Sequence, residues 1–170
     1  MSNKVLVTGN AGFIGFHLSQ HLLSMGYYVL GIDAITEYYN TDLKLKRLNL
    51  LKKNKNIIYK KVRIEEGETV SKIFESFSPN FVVHLAAQAG VRYSIDHPEE
   101  YVKTNIMGTF TVLEICKQLN IKHLLMASTS SVYGANKDLP FRELQKTDTP
   151  MSFYAATKKS NEVMAHSYSH

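Results

Sequence analysis

The seven residues Gly9-Asn10-Ala11-Gly12-Phe13-Ile14-Gly15 constrain this chain more than any other stretch. They follow an apolar run, Val5-Leu6-Val7, and open an amphipathic run over residues 16–25. That order predicts a strand, a tight turn and a helix. A turn so poor in side chains lets the backbone approach a pyrophosphate, whose charge then rests on the helix N-terminus. Gly9, Gly12, Phe13, Ile14 and Gly15 are the candidate phosphate-binding residues. Asp33 closes the next apolar run, Val29-Leu30-Gly31-Ile32. An acid there accepts hydrogen bonds from an adenosine ribose and repels a 2′-phosphate, which favours NAD over NADP. The glycine spacing alone also fits an ordinary turn; the acid at the end of the second strand makes it specific.

The same pattern continues down the chain. Apolar runs at 4–8, 27–32, 56–62, 81–85 and 121–127 read as strands. Between and after them, residues 12–25, 42–53, 68–77, 98–119 and 152–170 read as helices, with loops at 86–97 and 128–149. Strands that are apolar throughout and alternate with helices predict a parallel sheet covered on both faces. With right-handed crossovers and the glycine turn after strand one, the expected fold is a Rossmann-like, doubly wound α/β sheet of order 3-2-1-4-5. Residues 1–170 form one dinucleotide-binding domain in this reading, with ligands at the carboxyl edge of the strands.

Composition narrows the function classes. Hydrophobic residues make up 44% of the 170, enough for a folded core. No run approaches the ~20 apolar residues of a membrane helix, and the N-terminus lacks a signal-peptide pattern. Cys116 is the one cysteine, so no internal disulfide can form and a cytoplasmic setting is expected. The net charge is +5, and much of the positive charge lies within residues 44–61. Aromatics do not alternate with these charges as a base-stacking platform requires, so a solvated helix and loop is expected rather than a nucleic-acid surface. The same charge would draw in an anionic nucleotide. His17 and His21, like His166 and His170, are four apart, but no third ligand accompanies them and no metal site is expected. His84, in an apolar strand, reads as a packed histidine near the cofactor loop, and Cys116 as core or interface.

Two clusters can do chemistry. Tyr154 and Lys158 share one face of the last helix. A free phenol, with a pKa of about 10, is a poor base at neutral pH; a neighbouring ammonium and a cationic nicotinamide would favour phenolate, each unit being worth roughly 1.4 kcal/mol. Strand five ends in Ala127-Ser128-Thr129-Ser130-Ser131, a row of hydroxyls that can orient a substrate hydroxyl or simply cap a turn.

Taken together, Gly9-x-x-Gly12-x-x-Gly15, His84-Leu85-Ala86-Ala87, Asn105, Ser128–Gly134 and Tyr154-x-x-x-Lys158 resemble the extended short-chain dehydrogenases/reductases that modify nucleotide sugars. Residues 84–94 and 154–170 are most similar to UDP-glucuronate 4-epimerases. The resemblance implies roles. Tyr154 would take the proton of the sugar 4-hydroxyl, Lys158 would hold the nicotinamide ribose, and Thr129 would hydrogen-bond O4. Hydride would pass to NAD and return to the other face of the sugar. Ala86, Ala87, Asn105 and Ser128 would line the cofactor; Gln88, Arg92 and Ser130 would face the UDP-sugar. Dehydrating relatives carry an acid just after the Thr129 position; Ser130 and Ser131 stand there instead, which favours simple epimerisation. The resemblance also implies a homodimer through helices 98–119 and 152–170.

The sequence departs from that family in three places. Ala34 replaces a polar residue after the ribose-binding acid, and Arg63 stands where an Asp contacts adenine. Weaker NAD binding than the family norm is expected, with Arg63→Asp as its test. Relatives also run on for about as many residues again. The chain therefore reads as the amino-terminal half of such an enzyme, lacking most of the substrate-binding lobe and with strand five as an exposed edge.

Overall fold

A computed structural model describes residues 3–170. Five strands, β1 (Lys4–Thr8), β2 (Tyr28–Asp33), β3 (Ile57–Lys61), β4 (Phe81–His84) and β5 (His123–Met126), form one sheet of order β3-β2-β1-β4-β5. Every neighbouring pair is parallel. The helices are α1 (Phe13–Ser24), α2 (Thr41–Leu51), α3 (Gly67–Phe77), the short α4 (Tyr93–Asp96) and α5 (Pro98–Tyr101), then α6 (Gly108–Gln118) and α7 (Phe153–Ser169). The expected fold class and strand order are those observed.

The sheet is apolar on both faces because each face is covered. Leu6, Leu30 and Val82 lie side by side in the register and face one core with Val70, Phe74 and Phe77 of α3 and Val112, Ile115 and Cys116 of α6. Val5, Val7 and Val29 face the other, with Phe16 and Leu23 of α1 and Leu51 of α2. Each such side chain, fully buried, stabilises the fold by about 1.5–3 kcal/mol. Ser78 and Asn120 take left-handed backbone (φ 50° each) just past α3 and α6, which ends both helices.

Three details differ from the sequence reading. The expected loop 86–97 holds α4. The helix expected over 98–119 contains a widened π-helical segment, Val102–Met107, that carries Asn105. The irregular segment begins with a 3-10 turn, Ser130–Tyr133. Short helices of one turn leave no periodic apolar signal, and a π segment needs only one extra residue per turn. Among the described residues β5 has no outer neighbour, and Leu125 on it is exposed.

Candidate cofactor and active site

The phosphate end is built from main chain. Gly9 has φ +71°; its N–H donates to Ile32 O (2.7 Å), and Gly12 N–H donates back to Gly9 O (3.0 Å), closing the turn. A Cβ on Gly9 would lie 2.9 Å from Ala86 N, and one on Gly15 would lie 2.2 Å from Gly9 O. Only hydrogen fits at either position. Gly12 is extended, no side chain caps α1, and its first turn holds no acid. The N–H groups there are left for an anion. The Phe13 and Ile14 side chains are exposed, and both residues line the cleft beside the turn.

Asp33 is buried at the end of β2. Its Oδ2 accepts from Ala11 N–H (3.1 Å) and its Oδ1 from Ile35 N–H (2.8 Å). The Lys44 ammonium lies 3.7 Å from Oδ1. Arg47 donates to Ala11 O (3.3 Å) and Tyr39 Oη (3.4 Å). A cleft of about 450 Å³ runs from the glycine turn past Asp33 to the end of β3. It is lined by Gly9, Gly12, Phe13, Ile14, Gly15, Asp33, Ala86 and Ala87, all expected at the cofactor, and also by Gln88, which was expected at the sugar. Lys44 and Arg47 line it too and were not singled out from sequence. The expectation of a solvated basic run holds for Lys46, Lys52, Lys53, Lys55 and Lys60, which are exposed, but not for Lys44, which is buried. Their three-residue spacing on α2, turned toward an acid at the end of the preceding strand, was the available signal.

Beneath the cleft, Thr8, His84 and Thr109 form a buried chain. Thr8 Oγ1 accepts from Leu85 N–H (3.1 Å) and Ala86 N–H (3.0 Å). Both its lone pairs are then engaged, so its own hydrogen goes to His84 Nδ1 (2.8 Å). His84 is therefore the Nε2–H tautomer and donates to Thr109 Oγ1 (3.1 Å). Burial, assisted by the Lys158 charge, pushes its pKa down to about 3. It is the packed histidine the sequence suggested, and it orients the Thr8 hydroxyl that holds the Leu85 and Ala86 N–H groups.

The Tyr154 side is held by side chains. Ser152 Oγ accepts from Ala155 N–H (3.0 Å) and caps α7. Tyr154 N–H donates to Ser94 Oγ (3.2 Å), and the Tyr154 ring meets Tyr101 edge-on at 6.1 Å. Lys158, one turn on and buried, donates to Ala127 O (2.6 Å). Burial lowers its pKa, with Glu162 opposing. Thr129 Oγ1 accepts from Ser131 N–H (3.2 Å), and Ser128 Oγ donates to Glu162 (2.6 Å). Ser128, Ser130 and Arg92 are exposed. Asn105 is fully buried and does not line the cleft. Its Oδ1 accepts from Gln88 N–H (2.7 Å), and its Nδ2 donates to Gln88 O (3.1 Å) and Thr157 Oγ1 (3.1 Å). It clamps the loop after β4 to α7.

Two groups meet at one place. Ala127, whose carbonyl holds Lys158, also lines the cleft that the glycine turn opens. Among the described residues no cluster of three or more His, Cys, Asp or Glu is placed to hold a metal, and no helix is long and apolar enough to cross a membrane.

The chain is similar to proteins of known class along almost all of its length. The family model for GDP-mannose 4,6 dehydratase matches residues 6–170. Protein CapI of Staphylococcus aureus is 51% identical over 98% of this chain and 50% of its own length. A UDP-glucuronate 4-epimerase of Thermodesulfobacterium geofontis is 47% identical over 97% of this chain and 51% of its own. The crystal structure of a Bacillus cereus UDP-glucuronic acid 4-epimerase, in complex with UDP-glucuronic acid and NAD, superimposes with a TM-score of 0.88 at 39% identity, over 97% of this chain and 52% of that one. The chain thus spans about half the length of the relatives it matches. With the glycine turn, the strand order and the family match in agreement, the chain belongs to the GDP-mannose 4,6 dehydratase family of extended short-chain dehydrogenases/reductases.

Proposed function

We propose that this chain is the NAD-binding part of a nucleotide-sugar 4-epimerase acting on UDP-glucuronate. The observation that carries the reading is the Lys158–Ala127 bond, which ties the Tyr154 helix to a residue lining the same cleft as Gly9, Gly15 and Asp33. Relatives named UDP-glucuronate 4-epimerase, and the Bacillus cereus complex, support the substrate and cofactor.

The residues present fit NAD. The bare N-terminus of α1 and the hydrogen-only positions at Gly9 and Gly15 form a diphosphate cradle, and Asp33 lies where the adenosine ribose would come. When bound, NAD supplies a reversible hydride acceptor for C4 of the sugar. Tyr154 Oη takes the proton of the 4-hydroxyl and returns it after the sugar has turned. Lys158 presents its ammonium to that phenol and to the ribose, one turn along α7. Thr129 orients O4; Ala86, Ala87 and Ser128 shape the cofactor side, Asn105 acts from behind it by holding Gln88, and Gln88, at the edge of the cleft, faces the sugar with Arg92 and Ser130. Ser130 and Ser131, which have no carboxyl group, cannot serve as an acid for eliminating water, and this supports epimerisation over dehydration. The exposed apolar side chains Val102, Met107, Phe110 and Val163 support a homodimer through the helical stretches 98–119 and 152–170. Sedimentation of a monomer at micromolar concentration would refute that part.

The chain is incubated with NAD and UDP-glucuronate, alone and joined to the carboxyl-terminal half of a relative, and the product sugars are separated. UDP-galacturonate is expected from the joined protein, and Tyr154→Phe should lower its rate by about 10²–10⁴. No interconversion in either form, or an undiminished rate in Tyr154→Phe, overturns the reading.

A further inference from the structure

Past Asp33, the cleft ends at the carboxyl end of β3, where Val62, Arg63, Ile64 and Glu65 line it with Ala34. β3 is the outermost strand on this side. A dinucleotide with its diphosphate at α1 and its ribose at Asp33 therefore has its purine at this end. Ala34 offers the base only a methyl group. Arg63 offers hydrogen-bond donors, and they are fixed in place: Nε donates to Glu65 Oε1 (2.6 Å) and Nη2 to Glu100 Oε2 on α5 (3.3 Å). Its Nη1 hydrogens have no acceptor among the described residues.

We propose that Arg63 sets the base preference of this cleft toward a 6-oxopurine, such as hypoxanthine, over adenine. The inference rests on the cofactor site described above. A guanidinium carries donors and no acceptor. Adenine turns an amino donor at N6 beside its N7 acceptor, so one of the two groups faces Arg63 donor to donor. Hypoxanthine turns O6 and N7, two acceptors that an Nη1 hydrogen and the Nη2 hydrogen not given to Glu100 can meet as a fork. Because the guanidinium is also half-exposed and shared with two carboxylates, the preference is modest, about tenfold. A carboxylate at the same position would accept from N6 and reverse it.

The test titrates NAD and nicotinamide hypoxanthine dinucleotide into the whole chain, its Arg63→Asp variant and its Arg63→Leu variant, reading Kd by calorimetry. The wild type should bind the hypoxanthine dinucleotide about tenfold more tightly, Arg63→Asp should prefer NAD, and Arg63→Leu should discriminate little. Leucine serves as the second variant if aspartate disturbs folding. A tenfold preference of the wild type for NAD, or one ratio shared by all three proteins, overturns the proposal while leaving the cofactor site intact. If neither dinucleotide binds a wild type that melts cooperatively, the cofactor site itself falls and the base assignment with it.

Discussion

From Thr8 to Gly15 the cleft is shaped by main chain packed on main chain: Gly9 beneath Ala86, Gly15 against the Gly9 carbonyl, and N–H groups left bare at α1. The Tyr154 side, joined to the cleft through Ala127, is held by side chains that each reach for one backbone group: Ser152 for Ala155, Ser94 for Tyr154, Lys158 for Ala127. The first side tolerates no added atom, because backbone cannot step aside. The second loses one hydrogen bond at a time, worth about 0.5–1.5 kcal/mol each, or more where a charge is involved. Between them lies His84, whose two bonds join β1 to α6.

The sharpest test of this contrast is Gly15→Val. Its Cβ would start 2.2 Å from Gly9 O and 2.7 Å from Asn10 Cα, both backbone atoms. The turn must open or the helix must shift, and we expect a loss of at least ~4 kcal/mol in stability, the range of severe core substitutions. Urea unfolding would show it. A loss under 1 kcal/mol would mean that the turn gives way as easily as a side chain.

His84 provides an intermediate effect with a sign fixed by linkage. Its folded pKa, about 3, lies below the roughly 6.5 of an exposed histidine, because burial and the nearby Lys158 ammonium oppose its charge. The unfolded chain thus binds more protons between these values, and stability falls as the pH drops through 6.5 toward 3. From pH 7 to pH 5 this one group should remove about 2 kcal/mol. His84→Gln, which keeps a donor and an acceptor but cannot titrate, should lose that much less over the same interval in paired urea melts. Equal losses in the two proteins would show that the buried chain through Thr8 and Thr109 does not hold His84 neutral.

The same contrast explains what could be read from residues alone. The sheet order was legible because apolar runs and a glycine turn leave strong local signals, and because parallel crossovers have one hand. The phosphate end was legible for the same reason: Gly9, Gly12, Gly15 and Asp33 act from within short stretches of chain. Asn105 was visible only through a family resemblance, and its contacts turn out to be with Gln88 and Thr157, residues far from it in sequence. Lys44 was hidden in a basic run because charge in sequence does not tell which ammonium is turned inward. Thr8 and Ser94, which position His84 and Tyr154, carry no motif; a lone hydroxyl signals nothing until the fold places a donor beside it.

The smallest expected effect tests the other side of the comparison. Ser152 is extended (φ −149°, ψ 159°) and its hydroxyl satisfies one of the unpaired N–H groups at the start of α7. Ser152→Ala should cost about 1 kcal/mol, the usual worth of such a cap, and Ser152→Asp should recover most of it because a carboxylate accepts the same hydrogen and suits the positive end of the helix. The first turn also carries Tyr154, whose own N–H is held by Ser94 across to α4. If side chains hold this side piece by piece, that second tie survives, the helix frays no further than its first residues, and the melt stays cooperative with an unchanged urea slope. A loss approaching that of Gly15→Val would instead mean that α7 leaves as a unit once its cap is gone, and that the Tyr154 side is as intolerant as the glycine turn.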